Sequence, residues 1–148
     1  MRKFILFVGS IFIAAAAVFA AACGNGSGPN PTTAQSGKII ATGPAGNNLS
    51  ATISNADGSL KKGSQEFTLT FSDASGKPVD VGSVALNSHM AAMGSMAEMN
   101  NGATFTTTSI PGVYKGKIDI DMAGQWQAQI TYEGPAGKGA FSLPITAR

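Results

Sequence analysis

The 148-residue sequence predicts an all-β protein: an antiparallel Ig-like β-sandwich of seven or eight strands, preceded by a helical signal segment and a flexible linker. Three observations carry that expectation. Phe67, Leu69 and Phe71 alternate with Glu66, Thr68 and Thr70, and Trp126, Ala128 and Ile130 alternate with Gln127, Gln129 and Thr131. Short runs of this kind are punctuated by Gly, Asn, Asp and Pro at close spacing. Beyond residue 22, no long stretch carries a helical apolar stripe.

The chain opens with Arg2 and Lys3, followed by 19 uncharged residues from Phe4 to Ala22. A short basic region, an apolar run and small residues before a cut describe a secretory signal peptide over residues 1–22. The run ends in Ala20-Ala21-Ala22-Cys23, which resembles a bacterial lipobox with Ala20 in place of the usual Leu. Cys23 is then the lipidation site of a membrane-anchored lipoprotein facing the periplasm or cell exterior. Ordinary cleavage at the same bond and an uncleaved anchor are the alternatives, since a span needs about 20 apolar residues. All three export the rest. Residues 23–37, rich in Gly, Asn, Ser, Pro and Thr, cannot bury a core and read as a flexible tether after the lipidated cysteine.

Residues 38–148 form the folded domain, and roughly 110 residues suffice for one core. Lys38–Thr42 and Leu49–Ser54 are short strands separated by Gly43-Pro44 and Gly46-Asn47, and Asn55-Ala56-Asp57-Gly58 closes the second. The Phe67–Phe71 strand follows, and Ser75-Gly76-Lys77-Pro78 turns the chain into Val79–Leu86. Asn100-Asn101-Gly102 is read as a turn before a β-branched run, Ala103–Thr108. Pro111-Gly112 suits a type II turn, with glycine where φ must be positive. Val113–Ile120, Gln125–Tyr132 and Gly139–Thr146 complete the set, Pro144 marking an edge or bend.

Composition excludes several classes of function. Removing Arg2 and Lys3 with the leader leaves eight basic against eight acidic residues, with no basic cluster, which argues against nucleic acid. One histidine, and no free thiol once Cys23 is lipidated, leave no nucleophile–base–orienter set. A zinc site needs three or four His and Cys ligands, which the chain lacks. The expectation is a non-enzyme.

One stretch does stand out. His89 to Met99 holds the only histidine and four of the six methionines: Met90, Met93, Met96 and Met99. Thioether sulfur and imidazole nitrogen are the donors that select Cu(I) over hard cations, and thioethers bind without losing a proton. His89, Met90, Met93, Met96 and Met99 are therefore candidate copper ligands, with Met122 as a weaker sixth. In a strand, Met90 and Met96 face away from Met93 and Met99. In an α-helix each three-residue step turns about 300°, which spreads the sulfurs apart. A loop that folds His89 and two or three thioethers around one ion is the expected geometry. The competing reading is a Met-rich plug or an adaptable contact for a partner protein. Trp126 is expected in the core, Tyr114 at a corner of the sandwich, and Glu98, Asp119 and Asp121 facing water.

Gly76-Lys77-Pro78-Val79, Val84, His89-Met90, Met93-Gly94-Ser95-Met96, Pro111-Gly112-Val113-Tyr114 and Met122-Ala123-Gly124-Gln125-Trp126 occur in an order that resembles the YtkA-like domain. The resemblance covers about Ser64 to Tyr132. Relatives commonly place a histidine after the Met-Gly-Met-like stretch, whereas His89 precedes it here. The resemblance implies a small exported Ig-like sandwich, related in character to FixH-like and CopC-like proteins, that handles copper or another heavy metal. A copper transporter or oxidase-assembly protein is the expected partner. Copper homeostasis, delivery or oxidase assembly is the expected role, and a non-metal module that docks its Met-rich segment onto an envelope partner is the alternative.

Overall fold

A computed structural model describes residues 37–148. The expected signal segment, Cys23 and the tether up to residue 36 lie outside the described residues. Within them the chain forms nine strands: β1 (Lys38–Gly46), β2 (Leu49–Asn55), β3 (Gly63–Ser72), β4 (Ser83–Met90), β5 (Met99–Gly102), β6 (Thr104–Thr107), β7 (Val113–Ile120), β8 (Gly124–Gly134) and β9 (Gly137–Ala147). They make two antiparallel sheets in the orders β1-β2-β3-β7-β6 and β5-β4-β8-β9, an all-β sandwich as expected.

Alternation builds the core. Along β8, Trp126, Ala128, Ile130 and Tyr132 point inward while Gln125, Gln127, Gln129 and Thr131 face out. Strand β7 repeats this with Tyr114, Ile118 and Ile120 inside and Lys115, Lys117 and Asp119 outside. Trp126, Phe71, Ile53, Leu69, Ile120 and Ile130 are almost entirely removed from water. Burial on that scale stabilises by about 1.5–3 kcal/mol for each large apolar side chain. Phe71 packs edge-on against Tyr114, Tyr132 and Phe141, with ring centroids 6.1, 5.3 and 6.1 Å away. Tyr132 donates to the Ala45 carbonyl at 3.1 Å and accepts from Asn47 Nδ2 at 3.0 Å. Trp126 sits six residues earlier on β8, toward the opposite end of the sandwich, and its indole donates to the Met122 carbonyl at 3.2 Å.

The structure corrects the expected strands in three places, the first at Gly43-Pro44, which β1 runs through to Gly46 with both residues paired to β2. Second, nine strands replace seven or eight, because Met99–Gly102 is an edge strand paired to β4 and not a turn. At Ala103, whose N–H donates to the Leu86 carbonyl at 2.9 Å, the chain leaves that sheet and enters the other as β6. The third correction concerns Val79–Leu86. Val79 to Gly82 spans the gap between sheets, with Val81 fully buried, and the strand begins only at Ser83. Tyr114 fixes this corner by donating to the Gly82 carbonyl at 3.0 Å and to Asp80 Oδ1 at 3.2 Å.

Ile110-Pro111-Gly112-Val113 forms the expected type II turn, closed by Val113 N–H donating to the Ile110 carbonyl at 3.1 Å, with Gly112 at φ +81°. A Cβ on Gly112 would stand 2.3 Å from the Val79 carbonyl oxygen. The left-handed backbone disfavours a side chain by about 1–2 kcal/mol, and the overlap adds about 1–3. Gly112→Ala is therefore expected to lower unfolding stability by roughly 2–5 kcal/mol, read from the denaturation midpoint. A change below about 0.5 kcal/mol would contradict this account of the corner.

Candidate functional site

Strand β4 carries Leu86, Ser88 and Met90 inward and Ala85, Asn87 and His89 outward. His89 and Met90 are adjacent in sequence yet lie on opposite faces of the sheet. His89 is half-buried, flanked by Gln127 on β8 and Asn100 on β5, its register partners on either side. Its Nδ1 lies 3.0 Å from Asn100 Oδ1, and Asn87 Nδ2 donates to the same oxygen at 3.0 Å. A carboxamide oxygen only accepts, so in the neutral ring Nδ1 carries the hydrogen and the Nε2 lone pair is left for another partner.

The expected loop is a hairpin. Met90 pairs with Met99 and, in the same register, Met93 pairs with Met96, so the row of methionines folds back on itself between Gly94 and Ser95. Met93 and Met96 exchange both N–H···O bonds, at 3.1 and 3.0 Å. Gly94, the first central residue, has φ +58°, and Ser95 is not among the residues with positive φ. That combination is the type II′ turn, whose twist suits a two-residue hairpin. Directly opposed residues in a hairpin present their side chains on one face, with Cβ atoms about 4.5–5.5 Å apart. The spacing of three, which neither a strand nor a helix can align, becomes a matched pair across this turn.

The fold thus divides the candidate residues. Met90 is 3% exposed and belongs to the core, its terminal methyl lying against Gly124. Met99 and Met122 are half-buried and pack on that core. Met93 and Met96 are 58% and 37% exposed. His89, Met90 and Met93 line one open groove of about 540 Å³ together with Gln125, Gln127, Pro144 and Thr146, and Met96 is not part of its lining. The groove therefore brings Met93 to the imidazole, Met96 is joined to Met93 across the turn, and Met90, Met99 and Met122 pack in or on the core. Cys23 lies outside the described residues.

Among the described residues, no three His, Cys, Asp or Glu side chains converge in a metal-holding group. A soft ion in this groove would rest on sulfur and one nitrogen. Glu98 is exposed, in keeping with its expected place in water. The groups with shifted titration belong to turns and to the corner: Asp73 is lowered by the Ser75 hydroxyl and then by the Lys77 N–H, and Tyr114 is raised by burial. Asn100 was missed in the sequence, where Asn-Asn-Gly reads as a turn. The signal that finds it is the symmetry of Met90, Met93, Met96 and Met99 about Gly94-Ser95.

A family model described as YtkA-like matches residues 45–131, from the end of β1 to near the end of β8, and includes the methionine hairpin. The chain belongs to the YtkA-like family. No curated protein matches it. Within this YtkA-like domain the hairpin joins two adjacent strands, β4 and β5, so its base is held by ladder hydrogen bonds while its tip stands free.

The hydrogen-bond arrangement at His89 has a direct spectroscopic consequence. Long-range ¹H–¹⁵N correlation of the neutral ring is expected to show a protonated Nδ1 and a bare Nε2. Asn100→Leu should remove that preference. An Nε2–H tautomer in the unaltered protein would contradict the assignment.

Proposed function

We propose that this YtkA-like protein is an exported, lipid-anchored copper-binding module that holds Cu(I) through His89 Nε2 and the thioethers of Met93 and Met96. The pairing of Met93 with Met96 beside a histidine whose Nδ1 is already engaged is the observation that carries this reading. Soft sulfur donors with a neutral imidazole favour Cu(I) over hard cations. Asn100 acts as the outer partner that metal-bound histidines usually have, fixing the ring and its tautomer. Met90, Met99 and Met122, which the sequence also nominates, support the groove from the core side.

Cys23 is the proposed lipidation site, and the tether after it would let the domain reach a membrane partner such as a copper transporter or an oxidase-assembly protein. Thioether ligands need no proton exchange to let go, so the metal can pass by stepwise ligand substitution. Copper homeostasis, delivery and oxidase assembly all fit such a carrier. The open groove beside the hairpin gives the docking alternative its support, and a complex that survived both chelation and loss of the turn methionines would favour it.

The decisive measurement is a competition titration of Cu(I) between the full chain in detergent and a chromogenic chelator under reducing, anaerobic conditions. Losing an outer partner alone commonly costs 10–100-fold in metal affinity, so Met93→Leu with Met96→Leu should weaken binding by at least about tenfold. Met90→Leu, a near volume-conserving change in the core, should leave affinity within about threefold. Undiminished binding by the double variant would move the site elsewhere, and failure of the unaltered chain to compete would overturn the copper reading.

A further inference from the structure

The same hairpin that pairs the exposed thioethers leaves them unprotected. Met93 and Met96 are 58% and 37% exposed, and a Cβ placed on Gly94 between them would meet nothing within 4 Å. Small solutes can reach this tip from open solvent. Met90, by contrast, is 3% exposed, and Met99 and Met122 pack on the core. One face of a single hairpin therefore offers thioethers to solvent while the other hides them.

We propose that Met93 and Met96 are a paired oxidation site through which peroxide switches off copper binding at the hairpin tip. The inference rests on the copper reading above and adds its regulation. A thioether sulfur attacks one oxygen of hydrogen peroxide, the O–O bond breaks as an S–O bond forms, and the displaced hydroxide takes up the remaining proton as water. Each sulfur loses two electrons and each peroxide gains two. The sulfoxide is polar, presents a hard oxygen and has a poorer sulfur donor, so the set no longer suits Cu(I). Restoration belongs to a methionine sulfoxide reductase supplied with a thiol reductant.

Location makes this a local event. The turn is held by backbone hydrogen bonds that both sulfoxides leave intact, and neither side chain belongs to the core. Oxidation of Met90 would instead drive a polar group into the core beside Gly124. The chemistry of the row is thus graded by exposure: the proposed ligands react first, and the fold is spared.

The test uses the full chain in detergent, stripped of metal and treated with limiting hydrogen peroxide, with sulfoxides located by peptide mass mapping. Susceptibility follows exposure, so Met93 and Met96 should oxidise at least about tenfold faster than Met90 while far-ultraviolet circular dichroism stays unchanged. The doubly oxidised protein should then lose at least about tenfold in Cu(I) affinity against the chelator. Oxidation of Met90 as fast as Met93 would overturn the selectivity, and unchanged affinity after double oxidation would overturn the switch. If Met93 and Met96 oxidise first but the untreated chain never competes for Cu(I), the copper reading has failed and the switch falls with it. That result differs visibly from a failure of selectivity.

Discussion

A β-strand offers only every second side chain to one face, and that constraint decides what this domain can present to solvent. Along β4 it sends Met90 into the core and His89 out of it; along β8 it sends Trp126 in and Gln125 and Gln127 out. The inner set is continuous with the apolar packing that stabilises the sandwich. The outer set lines the groove. Because β4 and β8 are hydrogen-bonded in fixed register, the groove cannot change shape unless the core side of the same strands shifts as well. A one-residue slip would bury His89 and expose Met90, which the closely packed interior forbids.

Past Met90 the ladder is interrupted, and the chain is held only by the pair of backbone bonds between Met93 and Met96. This makes a graded structure, with an ordered base at Met90 and Met99 and a free tip at Gly94 and Ser95. Backbone order at the tip sets where the two thioethers start. Their three rotatable bonds leave the sulfurs free to adapt to an ion or a partner. A carrier of the kind proposed would benefit from this combination, because a fully preorganised site holds its cargo and a fully mobile one loses ordering entropy at every capture.

Much of the fold was legible because strong alternation survives in β3, β7 and β8, where one face is core and the other water. Phe67, Leu69 and Phe71, and the Trp126 run, announced themselves for that reason. The strand total was not legible at Asn100-Asn101-Gly102, where poor strand formers occupy an edge and are held by β4 and not by their own preference. Of the site, the residue types could be read but their grouping could not. The row of methionines was legible as composition; that it folds about Gly94-Ser95 depends on a turn of two residues. Asn100 escaped because its role exists only across the hairpin, eleven residues from His89.

The position of the hairpin tip also separates it from the packing that stabilises the fold. Met93 and Met96 have almost no share in the core, so changing them should cost the fold little. Met90 has the reverse character: it caps the core next to Gly124, and its loss would leave a void in the interior. A sequence that needed methionine only as a core plug would have kept Met90 and Met99 and had no use for a second pair at the solvent-exposed tip. Met93 and Met96, paired through their backbones at the tip, are 58% and 37% exposed and bury less apolar surface than Met90 does. On the copper reading proposed above, their placement follows from the soft donors they offer, since sulfur beside an imidazole suits a thiophilic metal better than a hard cation.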